Sequence, residues 1–312
     1  MAITTDLRGI YPPIPTPFNL DESIALDKLA GNIETWLTQS INGIVIPGSN
    51  SEAVYLTHEE KLHLWQSCAD MLRSSGKRWI AGTGVETTKE TIELTVQAAD
   101  LGAEAALIQP PFFYKPALKH DVLLAHYFAV ADVSPIPLLL YNVPVYTGID
   151  FALETLVALA THPRIIGVKD SSANVTKMSA LLAARPDFQV FCGTGSALLP
   201  FLSIGAVGGI MALANIAAAP LSSLIAAFNA GEIEAARHIQ LSLVDINAAI
   251  TSRYGISGLK YAMDVLGYYG GPTRRPLLPL ADDAKAEIDR LINGIIWPTQ
   301  PSAASGDIFE NV

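Results

Sequence analysis

Lys169 is the residue whose position best suits covalent chemistry. It ends an apolar run over residues 164–169, whereas the other nine lysines lie in polar loops or helical patterns. Burial disfavours the charged form of an amine and lowers its pKa, and a neutral amine can attack a carbonyl carbon to form a Schiff base. The alternative is a side chain that reaches water or pairs with the adjacent Asp170, and the spacing alone favours neither interpretation.

Two further strand ends carry polar side chains. Tyr141 closes the apolar run over residues 137–141, and a phenol within reach of an imine can act as a general acid and base. A buried tyrosine with a satisfied hydroxyl group is the alternative. The turn over residues 48–52 combines small hydroxyl and amide side chains with free backbone N–H groups, which is typical of a carboxylate site but also of an ordinary strand-to-helix loop.

Eight short apolar runs predict the strands that would position these groups. Segments with helical periodicity lie between them, and one opens with Thr57 and Glu60 in the spacing of a capping box. Eight strand–helix units indicate a (β/α)8 TIM barrel with a C-terminal helical extension, rather than an open doubly wound sheet. Reactive groups in such barrels gather at the C-terminal strand ends, so Lys169 and Tyr141 should be neighbours. The predicted strands are 9–15, 43–46, 79–82, 105–109, 137–141, 165–169, 189–192 and 208–213.

Only helical patterns follow Pro220. We therefore expect a barrel over residues 1–220 and a helical region over residues 221–312 that packs against it. The predicted helices are 221–230, 232–250, 258–266 and 282–291. The polar tail from Ser302 to Val312 is expected to fray.

Composition and charge exclude several classes of protein. With 50% hydrophobic and 16% charged residues, the chain is globular rather than disordered. A net charge of −10 without a long Lys/Arg cluster argues against nucleic-acid and membrane partners. Residues 205–228 are uncharged, but Asn215, Pro220 and several glycines predict a strand, a turn and a helix there instead of a membrane span. The N-terminus does not have the pattern of a targeting segment, so we expect a cytoplasmic protein.

Nothing in the sequence indicates a metal or an organic cofactor. Cys68 and Cys192 lie far apart, and His58 and His63 are separated by about 140° around a helix, which does not suit a zinc site. The two Gly-Thr-Gly segments do not contain the rest of a nucleotide-binding fingerprint. We therefore expect chemistry without a cofactor.

Three motifs in this order resemble those of the dihydrodipicolinate synthase / N-acetylneuraminate lyase family of class I, Schiff-base pyruvate aldolases. They occupy residues 48–52, 141–148 and 167–171, and the likeness extends from about residue 9 to residue 280. The resemblance implies that Lys169 is the imine-forming nucleophile, that Tyr141 donates and accepts protons, and that Ser49 relays them.

The resemblance also implies how the substrate is held. Asn50, with nearby backbone N–H groups and Ser171, would bind the carboxylate of a pyruvate unit in a 2-oxo acid. Ile210 would line the pocket beside it. A homotetramer built as a dimer of dimers is implied as well.

Two departures from the family pattern concern the substrate. Dihydrodipicolinate synthases usually carry an arginine two residues after the proline of Tyr-Asn-Val-Pro, where it grips the carboxylate of aspartate semialdehyde. Tyr146 stands there in this chain, which disfavours that substrate. The family also takes a tyrosine from a neighbouring subunit in the loop over residues 110–116. Phe112 and Phe113 occupy the matching positions, so that either Tyr114 substitutes or the relay ends in water.

Within the family, Ser49-Asn50 together with residues 247–271 looks most like 4-hydroxy-2-oxoglutarate aldolase and the fungal 2-keto-3-deoxy-sugar-acid aldolases. The expected activity is therefore cleavage of a 4-hydroxy-2-oxo acid, or of a 2-keto-3-deoxy sugar acid such as L-threo-3-deoxy-hexulosonate, to pyruvate and an aldehyde. A protonated imine would be the electron sink for that cleavage. The alternatives are a dihydrodipicolinate synthase or a hydro-lyase using the same lysine imine, and a carboxylate-binding barrel without turnover.

Overall fold

Eight parallel strands form a (β/α)8 TIM barrel, which confirms the predicted fold class. The computed structural model describes residues 5–298. The strands are β1 Gly9–Tyr11, β2 Gly43–Ile46, β3 Arg78–Gly82, β4 Ala105–Ile108, β5 Leu138–Asn142, β6 Ile165–Asp170, β7 Gln189–Cys192 and β8 Gly208–Ile210. They are hydrogen-bonded in the order β1-β8-β7-β6-β5-β4-β3-β2. A parallel bridge between Pro13 and Val45 joins the chain after β1 to β2, so that the barrel nearly closes.

Two predicted strands extend further than the observed ones. The first ends at Tyr11 because Pro12 and Pro13 have no N–H group to donate to a ladder. The last ends at Ile210, and the 3-10 turn Ala212–Asn215 follows it. The other six strands differ from their predicted bounds by at most one residue at either end.

Helices alternate with the strands. They are α1 Leu26–Leu37, α2 His58–Ser75, α3 Thr88–Asp100, α4 His120–Val133, α5 Pro144–Thr147, α6 Leu153–Leu159, α7 Val175–Ala184, α8 Leu198–Ser203, α9 Ala218–Asn229, α10 Ile233–Ala248, α11 Gly255–Val265 and α12 Asp282–Asn293. The predicted capping box opens α2. The Glu60 N–H donates to the Thr57 Oγ1 at 3.2 Å, and the Thr57 N–H donates to the Glu60 Oε2 at 2.9 Å.

The C-terminal helices begin with α9, which contains Pro220 in its first turn. Proline is tolerated at that position because the first N–H groups of a helix have no partner within it. The predicted division between residues 1–220 and 221–312 falls inside α9, and the two-part description stays a prediction. The π-helical turn Ala249–Arg253 joins α10 to α11. The tail from Ser302 to Val312 lies outside the described residues.

No helix within residues 5–298 is both long and apolar enough to cross a membrane. The uncharged stretch over residues 205–228 folds as β8, a turn and most of α9. Its apolar side chains, among them Leu213 and Leu221, are buried in the core. The strand, turn and helix predicted for this stretch are therefore present.

The apolar core has two layers. The larger cluster lies between the strands and the surrounding helices. The smaller one fills the barrel and includes side chains from several strands: Tyr11, Val45, Ile80, Leu139, Phe191 and Ile210. Tyr141 also belongs to the inner cluster, at the C-terminal end of β5. The apolar barrel interior thus gives way to the Tyr141 hydroxyl group at the C-terminal ends of the strands.

Candidate active site

Lys169 and Tyr141 lie side by side at the ends of two neighbouring strands. They are direct partners in the parallel register of β5 and β6. The Lys169 Nζ lies 4.0 Å from the centroid of the Tyr141 ring. The two residues are 3% and 4% exposed. The structure therefore brings together the amine and the phenol, as the strand-end argument predicted.

Burial sets the protonation of Lys169. Desolvation lowers the pKa of its amine from 10.5 to about 7. Within residues 5–298 no carboxylate lies within ion-pair distance of this amine. The alternative pairing with Asp170 does not occur, since that carboxylate accepts hydrogen bonds from Asn142 at 2.7 Å and from Ser172 at 2.8 Å. An appreciable share of the amine is thus uncharged at neutral pH.

Tyr141 keeps its proton at neutral pH. Burial raises the pKa of its phenol, and hydrogen bonds with Ser49 and Ser171 oppose that effect without cancelling it. The Ser49 Oγ lies 3.0 Å from the Tyr141 Oη. A protonated phenol in contact with two hydroxyl groups is able to donate a proton and to receive one back.

The turn after β2 carries Ser49 and Asn50 in a fixed shape. The Gly48 N–H donates to the Ser51 Oγ at 2.8 Å, and Ser51 in turn donates to the backbone oxygen of Ile14. The Asn50 Nδ2 donates to the backbone oxygen of Pro13 at 3.3 Å, so this amide is partly used in holding the turn. The backbone N–H groups of Ser49 and Asn50 have no acceptor within the described chain.

The other predicted substrate residues differ in position. Ile210 ends β8 and is fully buried in the inner cluster. Tyr146 lies on α5, and 54% of the residue is exposed. The partial burial of its phenol and, to a smaller extent, the nearby Tyr141 phenol raise its pKa. Tyr114 is 73% exposed and packs edge-on against Phe113, with 5.0 Å between the ring centroids. No hydrogen bond within residues 5–298 links Tyr114 to the Lys169 site.

Asn142 and Asp170 form a polar link that the sequence analysis missed. Each follows a reactive residue on its strand, so it projects to the opposite face of the barrel wall. The Asn142 Nδ2 donates to Asp170 at 2.7 Å and to Asp150 at 2.8 Å, and its Oδ1 accepts from the Phe151 N–H at 3.1 Å. The strand period of two, applied to the pairs after Tyr141 and Lys169, was the signal that could have revealed this link.

Comparison with known proteins identifies the family. Residues 6–295 match the model of the dihydrodipicolinate synthetase family. The chain belongs to this family. The resemblance stated from its motifs is thereby confirmed, and dihydrodipicolinate synthetase family members are Schiff-base, carbon–carbon lyases.

Relatives and solved structures resemble this family member over nearly its whole length. The 4-hydroxy-tetrahydrodipicolinate synthase of Exiguobacterium sp. is 34% identical over 90% of this chain and 95% of its own. That of Methanothrix thermoacetophila is 33% identical over 96% and 99%. The chloride-inhibited dihydrodipicolinate synthase from Acinetobacter baumannii, solved in complex with pyruvate, is 30% identical, with a TM-score of 0.87 over 93% of this chain and 99% of that one.

These names contradict the aldolase activity expected from the sequence. That expectation rested on a few positions, namely Ser49-Asn50, residues 247–271 and Tyr146 in place of an arginine, whereas the similarity to synthases extends over the whole barrel and the helices after it. The prediction of retro-aldol cleavage was therefore wrong, and the synthase alternative is the better supported one.

Proposed function

We propose that this protein is a 4-hydroxy-tetrahydrodipicolinate synthase, which condenses pyruvate with aspartate semialdehyde through an imine on Lys169. The observation that carries the proposal is the buried Lys169 amine, with its pKa near 7, packed on the Tyr141 ring. The names of the relatives supply the reaction class.

The first step is imine formation. The neutral Lys169 amine adds to C2 of pyruvate. Tyr141 gives a proton to the former carbonyl oxygen and regains one from the nitrogen through the Ser49 hydroxyl, whose Oγ lies 3.0 Å from the Tyr141 Oη, so that a carbinolamine forms. A second proton follows the same path from nitrogen to oxygen, and the oxygen leaves as water with both of its protons taken from the amine. The free phenol and a covalent imine remain.

Carbon–carbon bond formation follows. C3 loses a proton, the imine nitrogen takes up that proton together with the released electron pair, and the resulting enamine carbon attacks the aldehyde of the acceptor. The new alkoxide then takes the proton from the nitrogen. The amino group of the acceptor then attacks C2 and displaces Lys169, which closes the ring. One water is lost overall, namely the one released in the first step.

The substrate contacts follow from the same geometry. The free N–H groups of Ser49 and Asn50, together with the Ser171 hydroxyl, would bind the carboxylate of pyruvate, and Ile210 would pack beside its methyl group. Tyr146, at the mouth, would donate a hydrogen bond to the carboxylate of the acceptor. Such contacts keep both reactants near the Lys169 nitrogen.

Assembly is the remaining part of the proposal. We expect a cytoplasmic homotetramer built as a dimer of dimers. Tyr114, which is exposed in one subunit, would then extend the proton relay of another. Tyr114→Phe should in that case slow turnover without changing the oligomeric state, as measured by light scattering.

The test is an assay of purified protein with pyruvate and aspartate semialdehyde. We expect pyruvate to be consumed only when the acceptor is present, with the cyclic product detected by mass spectrometry. Lys169→Arg should abolish the reaction, because a guanidinium stays protonated and cannot add to a carbonyl. Product formation at the wild-type rate by Lys169→Arg, or none by the wild type, would refute the proposal.

A further inference from the structure

Glu52 ends the turn that carries Ser49, and its side chain is buried against a lysine of the C-terminal helices. The Lys260 Nζ lies 2.7 Å from the Glu52 Oε1, and the two side chains are 1% and 0% exposed. Glu52 has a φ of +57°, a left-handed conformation that residues with a side chain seldom adopt. A buried ion pair and a strained residue beside Ser49 indicate that contacts from outside the turn hold its shape.

Lys260, on α11, has surroundings that suit a structural cation rather than a nucleophile. Burial lowers the pKa of its amine, but the charge of Glu52 and the hydrogen bond to it oppose this effect. Its Nζ also donates to the backbone oxygen of Pro272 at 2.8 Å and lies 4.6 Å from the centroid of the Phe18 ring. Among residues 5–298 the Lys169 amine has no such carboxylate, so Lys169 and Lys260 are in different electrostatic surroundings although both are buried.

Arg274 also contacts the Glu52 carboxylate. Its backbone N–H donates to the Glu52 Oε2 at 2.8 Å, and its guanidinium makes two hydrogen bonds with Glu60 at 2.7 and 2.8 Å. Gly270 packs so closely on α11 that a Cβ there would lie 1.9 Å from the backbone oxygen of Lys260. The segment from Lys260 to Arg274 is therefore tightly folded, and it brings the Lys260 ammonium to one oxygen of the carboxylate and the Arg274 N–H to the other.

The turn over residues 48–52 connects Glu52 to Ser49, which contacts Tyr141. The Thr16 Oγ1 donates to the backbone oxygen of Ser51 at 2.8 Å, which fixes the residue just before Glu52. Three positions before Glu52, the Ser49 Oγ lies 3.0 Å from the Tyr141 Oη. Rotation of the backbone at Glu52 would change that distance, because the turn between them contains only Asn50 and Ser51.

We propose that Glu52 and Lys260 are positioning residues, and that their ion pair holds the Ser49 hydroxyl at the Tyr141 phenol. The C-terminal helices thereby become part of the machinery for proton transfer. This inference rests on the proposed function, since it assumes that Tyr141 and Ser49 move protons during imine chemistry. Both side chains are almost fully buried, and the proposed mechanism gives neither a contact with the substrate. Loss of either should slow proton transfer and leave the Lys169 amine in place.

A double-mutant cycle on kcat with Glu52→Gln and Ser49→Ala tests the proposal. Competent sites are first counted by borohydride reduction in the presence of pyruvate, so that kcat refers only to folded, imine-forming protein. We expect Glu52→Gln to lower kcat about 10- to 100-fold, with KM for pyruvate within about twofold of the wild type. In the Ser49→Ala background the same change should cost less than about threefold, because the hydroxyl group that it positions is gone.

Three variants complete the experiment. Lys260→Met removes the other partner, should reproduce the loss of kcat, and replaces Glu52→Gln in the cycle if that variant does not fold. Lys260→Arg keeps the cation and should recover most of the activity. Lys285→Met breaks an exposed ion pair with Asp282 on α12 and should leave kcat unchanged.

The possible outcomes are distinct. A purely structural role would reduce the number of competent sites while kcat per site stayed at the wild-type value, and that result would overturn the inference. Independent, multiplicative losses from Glu52→Gln and Ser49→Ala would also overturn it. A wild-type protein that forms no pyruvate adduct would refute the proposed function instead.

Discussion

Burial acts in opposite directions on the two central groups of the site. It lowers the pKa of the Lys169 amine to about 7 and raises the pKa of the Tyr141 phenol. At neutral pH the amine is therefore partly uncharged, while the phenol keeps its proton. In the proposed mechanism these are the states that the nucleophile and the acid need, and a single cause, the removal of water, favours both.

The lowered pKa of Lys169 predicts the pH dependence of adduct formation. The reactive species is the neutral amine, so the initial rate of imine formation with pyruvate should rise as the pH passes through about 7 and level off above it. Borohydride trapping at a series of pH values measures this rate. An ordinary lysine would show a rise that continues towards its usual pKa of 10.5, and that profile would contradict the account.

Removal of the Tyr141 hydroxyl should slow turnover without unfolding the barrel. Tyr141→Phe keeps the ring against Lys169 but removes the acid, so kcat should fall about 100- to 10,000-fold. Ser49→Ala leaves the phenol in place and should cost less. Steady-state rates and circular dichroism of the two variants check this prediction. Equal kcat values for Tyr141→Phe and the wild type would show that protons travel by another path.

At the scale of elements, the register of β5 and β6 aligns the reactive residues and, on the other face, Asn142 with Asp170. The proximity of Lys169 and Tyr141 was predictable because each lies at the end of an apolar run, and strand ends meet on one face of a barrel. The lengths of β1 and β8 were harder to predict. In both cases the sequence stays apolar beyond the point where strand pairing ends, at prolines after β1 and at a 3-10 turn after β8. The partnership of Glu52 with Lys260 was not predictable, because it joins distant parts of the chain.

The link between Asn142 and Asp170 should stabilise the fold. Asn142→Ala would remove the amide donor from a fully buried carboxylate and lower the free energy of unfolding by about 1.5–3 kcal/mol. Urea denaturation measures the change. Asp132→Asn, which alters an exposed contact with His162, is the matched control and should change stability by less than about 0.5 kcal/mol. Similar stabilities for the two variants would argue against this role.

Tyr146, on α5, should determine affinity for the acceptor. Tyr146→Arg places a fixed positive charge at the mouth, so KM for aspartate semialdehyde should fall about tenfold while KM for pyruvate stays the same. Steady-state kinetics with each substrate varied in turn make the measurement, and Tyr146→Phe serves as a control that removes only the hydroxyl. An unchanged KM for the acceptor in Tyr146→Arg would place its carboxylate elsewhere.

At the scale of the whole molecule, similarity to synthases over nearly the full chain was better evidence of the reaction than the residues at single positions. The barrel and the family were predictable from eight strand signals and three motifs. The reaction was predicted wrongly, because Ser49-Asn50, residues 247–271 and Tyr146 were given more weight than the sequence of the chain as a whole. Specificity depends on loops whose directions a sequence does not reveal.

The most direct test of the central claim is reduction with borohydride in the presence of pyruvate, followed by peptide mass mapping. The account predicts one reduced pyruvate adduct per chain, on Lys169, and none on Lys260, whose amine is held by Glu52. Lys169→Arg should carry no adduct under the same conditions. An adduct on another lysine, or no adduct in folded protein that turns over, would contradict the claim that Lys169 forms the imine.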